Sequence, residues 1–265
     1  MNIVKAHAFG NDFLLLDRGG IPIGSDLPAL ARLLCDRHRG LGGDGLIIYS
    51  TSVEGAAMQL LNADGSRSEI SGNGVRCLAA WIAKRSELRR GDLVNVETDA
   101  GVKQLELLDE NRGRLTFRAA MGPPADIARV TLAVDGAPVE AVTLRIGNPQ
   151  CVVLGDVTSA RLHTVAAPLA VHPHFPEGTN VELATIESAG RVRILIWERG
   201  VGPTEASGTG ACAAAVAAAV YGGASRDVEV VAPGGAQRVE WRDDGLYLTG
   251  WAEVTAVARW IPPVP

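Results

Sequence analysis

A chain of 265 residues that is 47% hydrophobic and 21% charged is long enough to bury a substantial core, as one large domain or two of modest size. Its net charge of −5 is mild and its Lys and Arg residues are dispersed, which excludes the electrostatic footprint of nucleic-acid or anionic-membrane binding and leaves small-molecule chemistry as the default. No run approaches the ~20 apolar residues of a membrane span, and Met1 to Phe13 lacks the pattern of a secretory leader, so a cytoplasmic location is expected.

In chain order, Asp12 to Asp17 reads as the first strand. Leu27 to His38 follows as an amphipathic helix with Leu27, Leu30, Leu33 and Leu34 on one face. Leu46 to Ser50 and Ala56 to Leu61 carry the apolar and β-branched character of strands between turn residues. Gly74 to Arg85 is apolar most of the way round, the mark of a buried helix, and Leu93 to Thr98 and Arg114 to Ala119 are further strands. Met121-Gly122-Pro123-Pro124 interrupts the pattern and sets a boundary near Ala120 to Asp126. Beyond it come strands over Val142 to Ile146, Cys151 to Leu154 and Arg191 to Trp197. A second buried helix spans Gly210 to Val220, so small-sided over Ala213 to Ala219 that neighbouring backbone must approach it closely. Strands over Val228 to Val231, Gln237 to Trp241 and Gly245 to Thr249 complete the reading.

The two buried helices open alike. Ser71-Gly72-Asn73-Gly74 and Ser207-Gly208-Thr209-Gly210 stand 136 residues apart, and Glu69 and Glu205 share that offset. Gly10-Asn11 before Phe13 to Leu16 and Gly147-Asn148 before Cys151 to Leu154 are offset by 137. Three pairs in one register point to an internal duplication. Each Ser-Gly turn puts free backbone N–H groups and a positive helix end where they can hold an anion. A carboxylate gripped between the two, with groups from opposite halves reaching opposite faces of one carbon, is the geometry of racemisation. The same turns would also serve merely to cap and pack two core helices, and the residues alone leave that open.

Gly10-Asn11-Asp12-Phe13, Asn62-Ala63-Asp64-Gly65-Ser66, Gly72-Asn73-Gly74 with Arg76-Cys77, Gly147-Asn148-Pro149, Asn180-Val181, Glu198-Arg199-Gly200 and Gly208-Thr209-Gly210-Ala211 stand in the order and spacing of diaminopimelate epimerase, which the chain resembles from Asn2 to its last strand. The resemblance implies an α+β fold of two pseudo-symmetric halves, each a mixed β-barrel around a central helix. Residues 1–119 would form one half and 120–251 the other, with a C-terminal strand over Ala252 to Ile261, in a segment of about 252–265, returning to the first. It implies an isomerase that works without metal or cofactor on LL-diaminopimelate, for lysine and peptidoglycan synthesis. The partner is then a small amino acid, with no nucleic acid or membrane, and a homodimer is left open. On that mapping Ser71 and Ser207 hold the catalytic positions. Asn11, Asn62, Asn148, Asn180 and Arg199 bind the amino acid together with Gly72, Asn73, Gly74, Gly208, Thr209 and Gly210, and Glu198 sits beside the second catalytic position.

The chain departs from the family where the chemistry lies. The family carries cysteines at the two catalytic positions and usually a histidine where Gln150 stands. A thiol titrates near about 8.5 and an alcohol nearer water's value. A gap of about five units adds about 7 kcal/mol to forming the base, or about five powers of ten in rate. Replacement of both thiols by engineering, a natural enzyme using other groups, and a relative that binds without epimerising all remain open. A second isomerase reading is a reaction at a more acidic C–H.

Other groups compete weakly for the role. Cys77 and Cys212 fall inside the buried helices and, with Cys35 and Cys151, read as buried reduced thiols, without C-x-x-C pairing. Glu69 and Glu205, two residues before each serine, are general bases only if desolvated, and solvated turn carboxylates otherwise. His172-x-His174 is interrupted by Pro173, and no metal site is expected.

Overall fold

The computed structural model describes residues 1–52 and 55–261. The chain divides into two compact units, Met1–Ala119 with Gly250 onward, and Ala120–Thr249.

In the first unit the strands Asn2–Ala8, Asn11–Asp17, Gly45–Ser52, Gly55–Asn62, Leu93–Thr98, Gly101–Asn111 and Arg114–Gly122 pair side by side in that order. The strand Gly245–Arg259 pairs with both the last and the first of them, closing a ring of eight. Closure removes the free edges that an open sheet would expose. In the second unit Ala137–Ile146, Asn148–Leu154, Asn180–Ser188, Arg191–Glu198, Asp227–Ala232, Gly235–Arg242 and the start of Gly245–Arg259 pair in the same succession, with Ala125–Val134 on the outer side of Ala137–Ile146. In each unit the second strand of this succession runs parallel to the third, and the fourth parallel to the fifth. The two units are thus one design used twice, which is the duplication expected from the spacing of the turns.

Each unit holds one fourteen-residue helix, Gly72–Arg85 and Gly208–Tyr221, and each helix is N-capped by a serine in nearly the same extended conformation. The Ser207 helix is fully buried over Ala213, Ala214 and Val216 to Ala218. Its alanines pack against Val152, Ala184, Val192, Ile194, Ile196 and Leu248. Alanine gives high helix propensity and a thin cylinder, so the surrounding strands close on the backbone itself.

Several elements differ from the sequence reading. Both helices begin two residues earlier than expected, because the first glycines already lie in the capped turn. The first helix, expected to His38, is Leu27–Cys35: Asp36 Oδ1 accepts the His38 and Arg39 N–H groups and turns the chain. Asn2–Ala8, Gly101–Asn111, Ala125–Val134 and Asn180–Ser188 are strands, and a helical run over Ser159–Arg161, Leu162–Ala166 and Ala167–Ala170 was not anticipated. Gly245 to Thr249 and Ala252 to Ile261, read as two strands, are one, ending at Arg259. Residues 262–265 of the returning segment lie outside the described residues.

Candidate active site

In the first unit, Ser71 Oγ accepts the Gly74 N–H at 3.1 Å and so closes the first turn of its helix. Asn73 is buried and donates from Nδ2 to Asn11 Oδ1 at 3.1 Å. Asn11 in turn donates to Asp44 Oδ2 at 2.7 Å. Asp44 also accepts the Asp12 N–H and the Arg37 guanidinium, and Arg37 forks onto Asp12. This chain of contacts fixes Asn11 beside the helix start. Arg76, almost fully buried, donates to Asn73 Oδ1 and lies 5.7 Å from the centre of the Phe9 ring. Asn62 stands at the end of its strand, donating to Ser66 Oγ at 3.0 Å.

In the second unit, Ser207 Oγ accepts the Gly210 N–H at 3.2 Å, and Thr209 Oγ1 lies 3.5 Å from it. Gln150 donates from Nε2 to Asn148 Oδ1 at 2.6 Å, and Asn180 Oδ1 accepts the Arg199 N–H at 2.9 Å. The Arg199 guanidinium itself is turned to the Glu177 carbonyl at 2.9 Å. Gln150 and Pro149, with Arg145, His174 and Glu177, line a cavity of about 370 Å³. Because Gly74 and Gly210 give their N–H groups to the serine caps, Gly72, Gly208 and Thr209 are the backbone donors at these turns that remain for an anion. The capped geometry also acts on the serines. A hydroxyl oxygen that accepts an N–H at a helix N-terminus is favoured in its anionic form, the effect that makes thiols at such positions acidic.

A residue missed in the sequence lies against the second of these turns. Glu182 is fully buried, and neither of its carboxyl oxygens has a hydrogen-bond partner. A Cβ placed on Gly210 would stand 2.5 Å from Glu182 Oε1. Burial, and then the charge of Glu198, push its carboxyl well above the usual carboxylate range, so the neutral acid is the favoured form. Gln150 Oε1, on the adjoining strand, is also buried without a partner.

The carboxylates that the sequence singled out stand elsewhere. Glu69 and Glu205 are exposed, as solvated turn residues are. The four cysteines are buried. Desolvation raises the Cys77 thiol strongly and pushes those of Cys35 and Cys151 up to about 12. Among the described residues no group of three His, Cys, Asp or Glu side chains is placed to hold a metal ion, and no helix is long and apolar enough to cross a membrane.

Two units of one design, each with a serine-capped helix start beside polar strand ends, fit an isomerase that moves a proton on a small molecule. The chain belongs to the diaminopimelate epimerase family: the family model for diaminopimelate epimerase matches residues 3–126 and 142–255. It is 39% identical to diaminopimelate epimerase from Desulforudis audaxviator over 98% of this chain and 99% of that protein. It is likewise 39% identical to that of Desulfitobacterium hafniense over 94% of each. Among solved structures it superposes on a probable proline racemase from Agrobacterium radiobacter, with bound carbonate, at a TM-score of 0.74 and 15% identity, covering 98% of this chain and 92% of that one. That likeness shows the shared fold.

Proposed function

We propose that this chain interconverts LL- and meso-diaminopimelate by two-base proton transfer without a cofactor, in the cytoplasmic route to lysine. Ser71 and Ser207 are the groups that exchange protons with the α-carbon. Asn11, Asn62, Asn148, Asn180 and Arg199 recognise the amino acid, and the turn amides of Gly72, Gly208 and Thr209 receive carboxylate oxygens. The observation that carries this reading is the pair of serine caps, matched in conformation and in their hydrogen bond to the third helical residue. A residue so placed meets a helix dipole that favours negative charge on its oxygen and on any anion in front of it. Incubating LL-diaminopimelate with the full chain and separating the isomers by chiral chromatography tests it: meso product supports the reading, and unchanged LL isomer after long incubation refutes it.

The serines themselves favour one second reading. An alcohol pair suits a substrate whose C–H is more acidic than that of an amino acid, so an isomerase acting on such a carbon, or shifting a double bond, is the alternative. A panel of activated acids, scored for deuterium uptake from heavy water, separates the two.

A further inference from the structure

Packing does not account for Glu182. A fully buried carboxyl without a hydrogen-bond partner is costly to bring into a fold, and this fold does not need one. The position that matches it in the first unit is Ile47, on the strand paired in parallel with Asn11–Asp17 as the Glu182 strand is paired with Asn148–Leu154. A Cβ on Gly74 would meet Ile47 Cδ1 at 3.0 Å, just as one on Gly210 would meet Glu182 Oε1 at 2.5 Å. One architecture thus fills the same site with a hydrocarbon in one copy and an acid in the other. The acid lies where chemistry is expected: Ser207 Oγ accepts the N–H of Gly210, the residue against which Glu182 rests.

We propose that Glu182 acts through Ser207 as the proton reservoir of the second unit, an inference that rests on the epimerase reading above. In the donating direction the Ser207 O–H bond breaks as a C–H bond forms at the α-carbanion. The Glu182 O–H bond breaks as its proton restores the hydroxyl on Ser207, and the negative charge ends on the Glu182 carboxylate. In the reverse direction the carboxylate takes the hydroxyl proton while Ser207 Oγ takes the α-proton, leaving the electron pair of the C–H bond on carbon. No free alkoxide forms at Ser207, which removes at that group, though not at Ser71, the obstacle that an alcohol presents. The carboxylate that does form lies against the first turn of a helix, whose dipole partly offsets the burial and the Glu198 charge that disfavour it.

In this structure Ser207 Oγ is engaged as the cap and is not hydrogen-bonded to Glu182. Because the hydroxyl keeps a second lone pair and its own O–H, transfer requires a side-chain rotation that brings the two oxygens together or one water between them. The titratable groups around Glu182 are Cys151 on the Asn148–Leu154 strand and Glu198 on the strand across from it, with uncharged Gln150 on the first of these strands.

The test compares wild type with E182I, which installs the residue of the first unit, and with the near-isosteric E182Q. Steady-state epimerisation and α-deuterium uptake are read from about pH 5 to about pH 9, alongside thermal unfolding. The relay predicts that E182I melts no lower than wild type yet loses about 100-fold or more in kcat, with KM changed by less than about threefold. In E182Q the limb of the pH profile that belongs to the buried acid disappears. If E182I does not fold, E182Q carries the same two readouts. A folded variant with wild-type kcat and an unaltered pH profile overturns the relay alone. A wild-type chain that moves no α-proton overturns the epimerase reading and the relay with it.

Discussion

Glu182 rests its carboxyl against the Cα of Gly210, in the first turn of the Ser207 helix, closer than a side chain at that position would allow. Alanine is a better helix former than glycine by up to about 1 kcal/mol, so the two matching glycines should respond differently. A Cβ on Gly74 meets the flexible end of Ile47 at 3.0 Å and Ser71 Cβ at 3.3 Å, contacts that a few tenths of an ångström relieve, so G74A shifts stability by less than about 1 kcal/mol. G210A drives into the carboxyl, its Cδ and its Cγ, and destabilises by about 1–3 kcal/mol. In an E182A background that penalty should vanish. Urea denaturation of the double-mutant cycle checks this, and additive costs would contradict the contact.

Stability should depend on pH in two opposed ways. Glu182 holds its proton more tightly folded than unfolded, because burial and Glu198 raise it above its ordinary 4.5. Its contribution is full below that value and falls as pH rises towards the folded pKa, by up to about 1.4 kcal/mol per pH unit. For Asp12, burial acts to raise the carboxyl, but hydrogen bonds from Arg37 and Lys5 outweigh it and hold the group below its ordinary 3.8. That contribution is present above 3.8 and is lost as pH falls through the folded value. E182Q should flatten the decline on the neutral side and leave the acid side unchanged, and D12N should do the converse. Denaturation midpoints at stepped pH report both.

Much of this was legible in the sequence, and what was not has a physical reason. The serine turns stood out because capping chemistry is local: a small hydroxyl residue, glycines and an apolar run suffice to place a helix start. The strand Asn180–Ser188 did not stand out. Alternation assigns acids to the wet face of a strand, yet in this strand both faces are buried, with Val181 and Leu183 on one and Asn180, Glu182 and Ala184 on the other. One signal was available. Aligning the two copies sets Glu182 against Ile47, a carboxyl where its twin is a core hydrocarbon. The long strand Ala125–Val134 was missed for the opposite reason, since it is mostly exposed and shows little apolar pattern.

Asn11 owes its placement to Asp44, which accepts its amide at 2.7 Å. Replacing Asp44 with alanine removes that acceptor and leaves the amide held through its oxygen by Asn73. A hydrogen bond to a charged group contributes about 1.5–3 kcal/mol at most in a buried setting and less at this half-exposed one. KM for diaminopimelate should therefore rise about three- to tenfold with kcat little changed. A fall in kcat with KM constant would place Asn11 in the proton transfer instead.

Restoring thiols should speed the reaction. With Ser71 and Ser207 both changed to cysteine, deprotonation becomes about 7 kcal/mol easier at each group. Where the serines act unaided, epimerisation then rises by several powers of ten; where Glu182 relieves Ser207, most of the gain comes from S71C. Either single variant gains much less than the pair if both serines work unaided, because turnover needs an acid and a base together. Gln150, in place of a histidine, limits the gain. A folded double variant that neither exchanges the α-proton nor interconverts the isomers would show that the chain does not hold diaminopimelate productively.

In the proposed reaction Ser71 and Ser207 each exchange a proton with one face of the same carbon. Its most direct test is α-deuterium uptake by LL- and meso-diaminopimelate in heavy water, followed by proton NMR, for wild type, S71A and S207A. Each alanine variant should lose about 1 kcal/mol of stability with its helix cap and remain folded. Wild type should take up deuterium into both isomers, whereas either variant should lose epimerisation and keep exchange without inversion through the remaining serine, each variant acting on the opposite isomer. Equal uptake and normal epimerisation in S71A or S207A would contradict it.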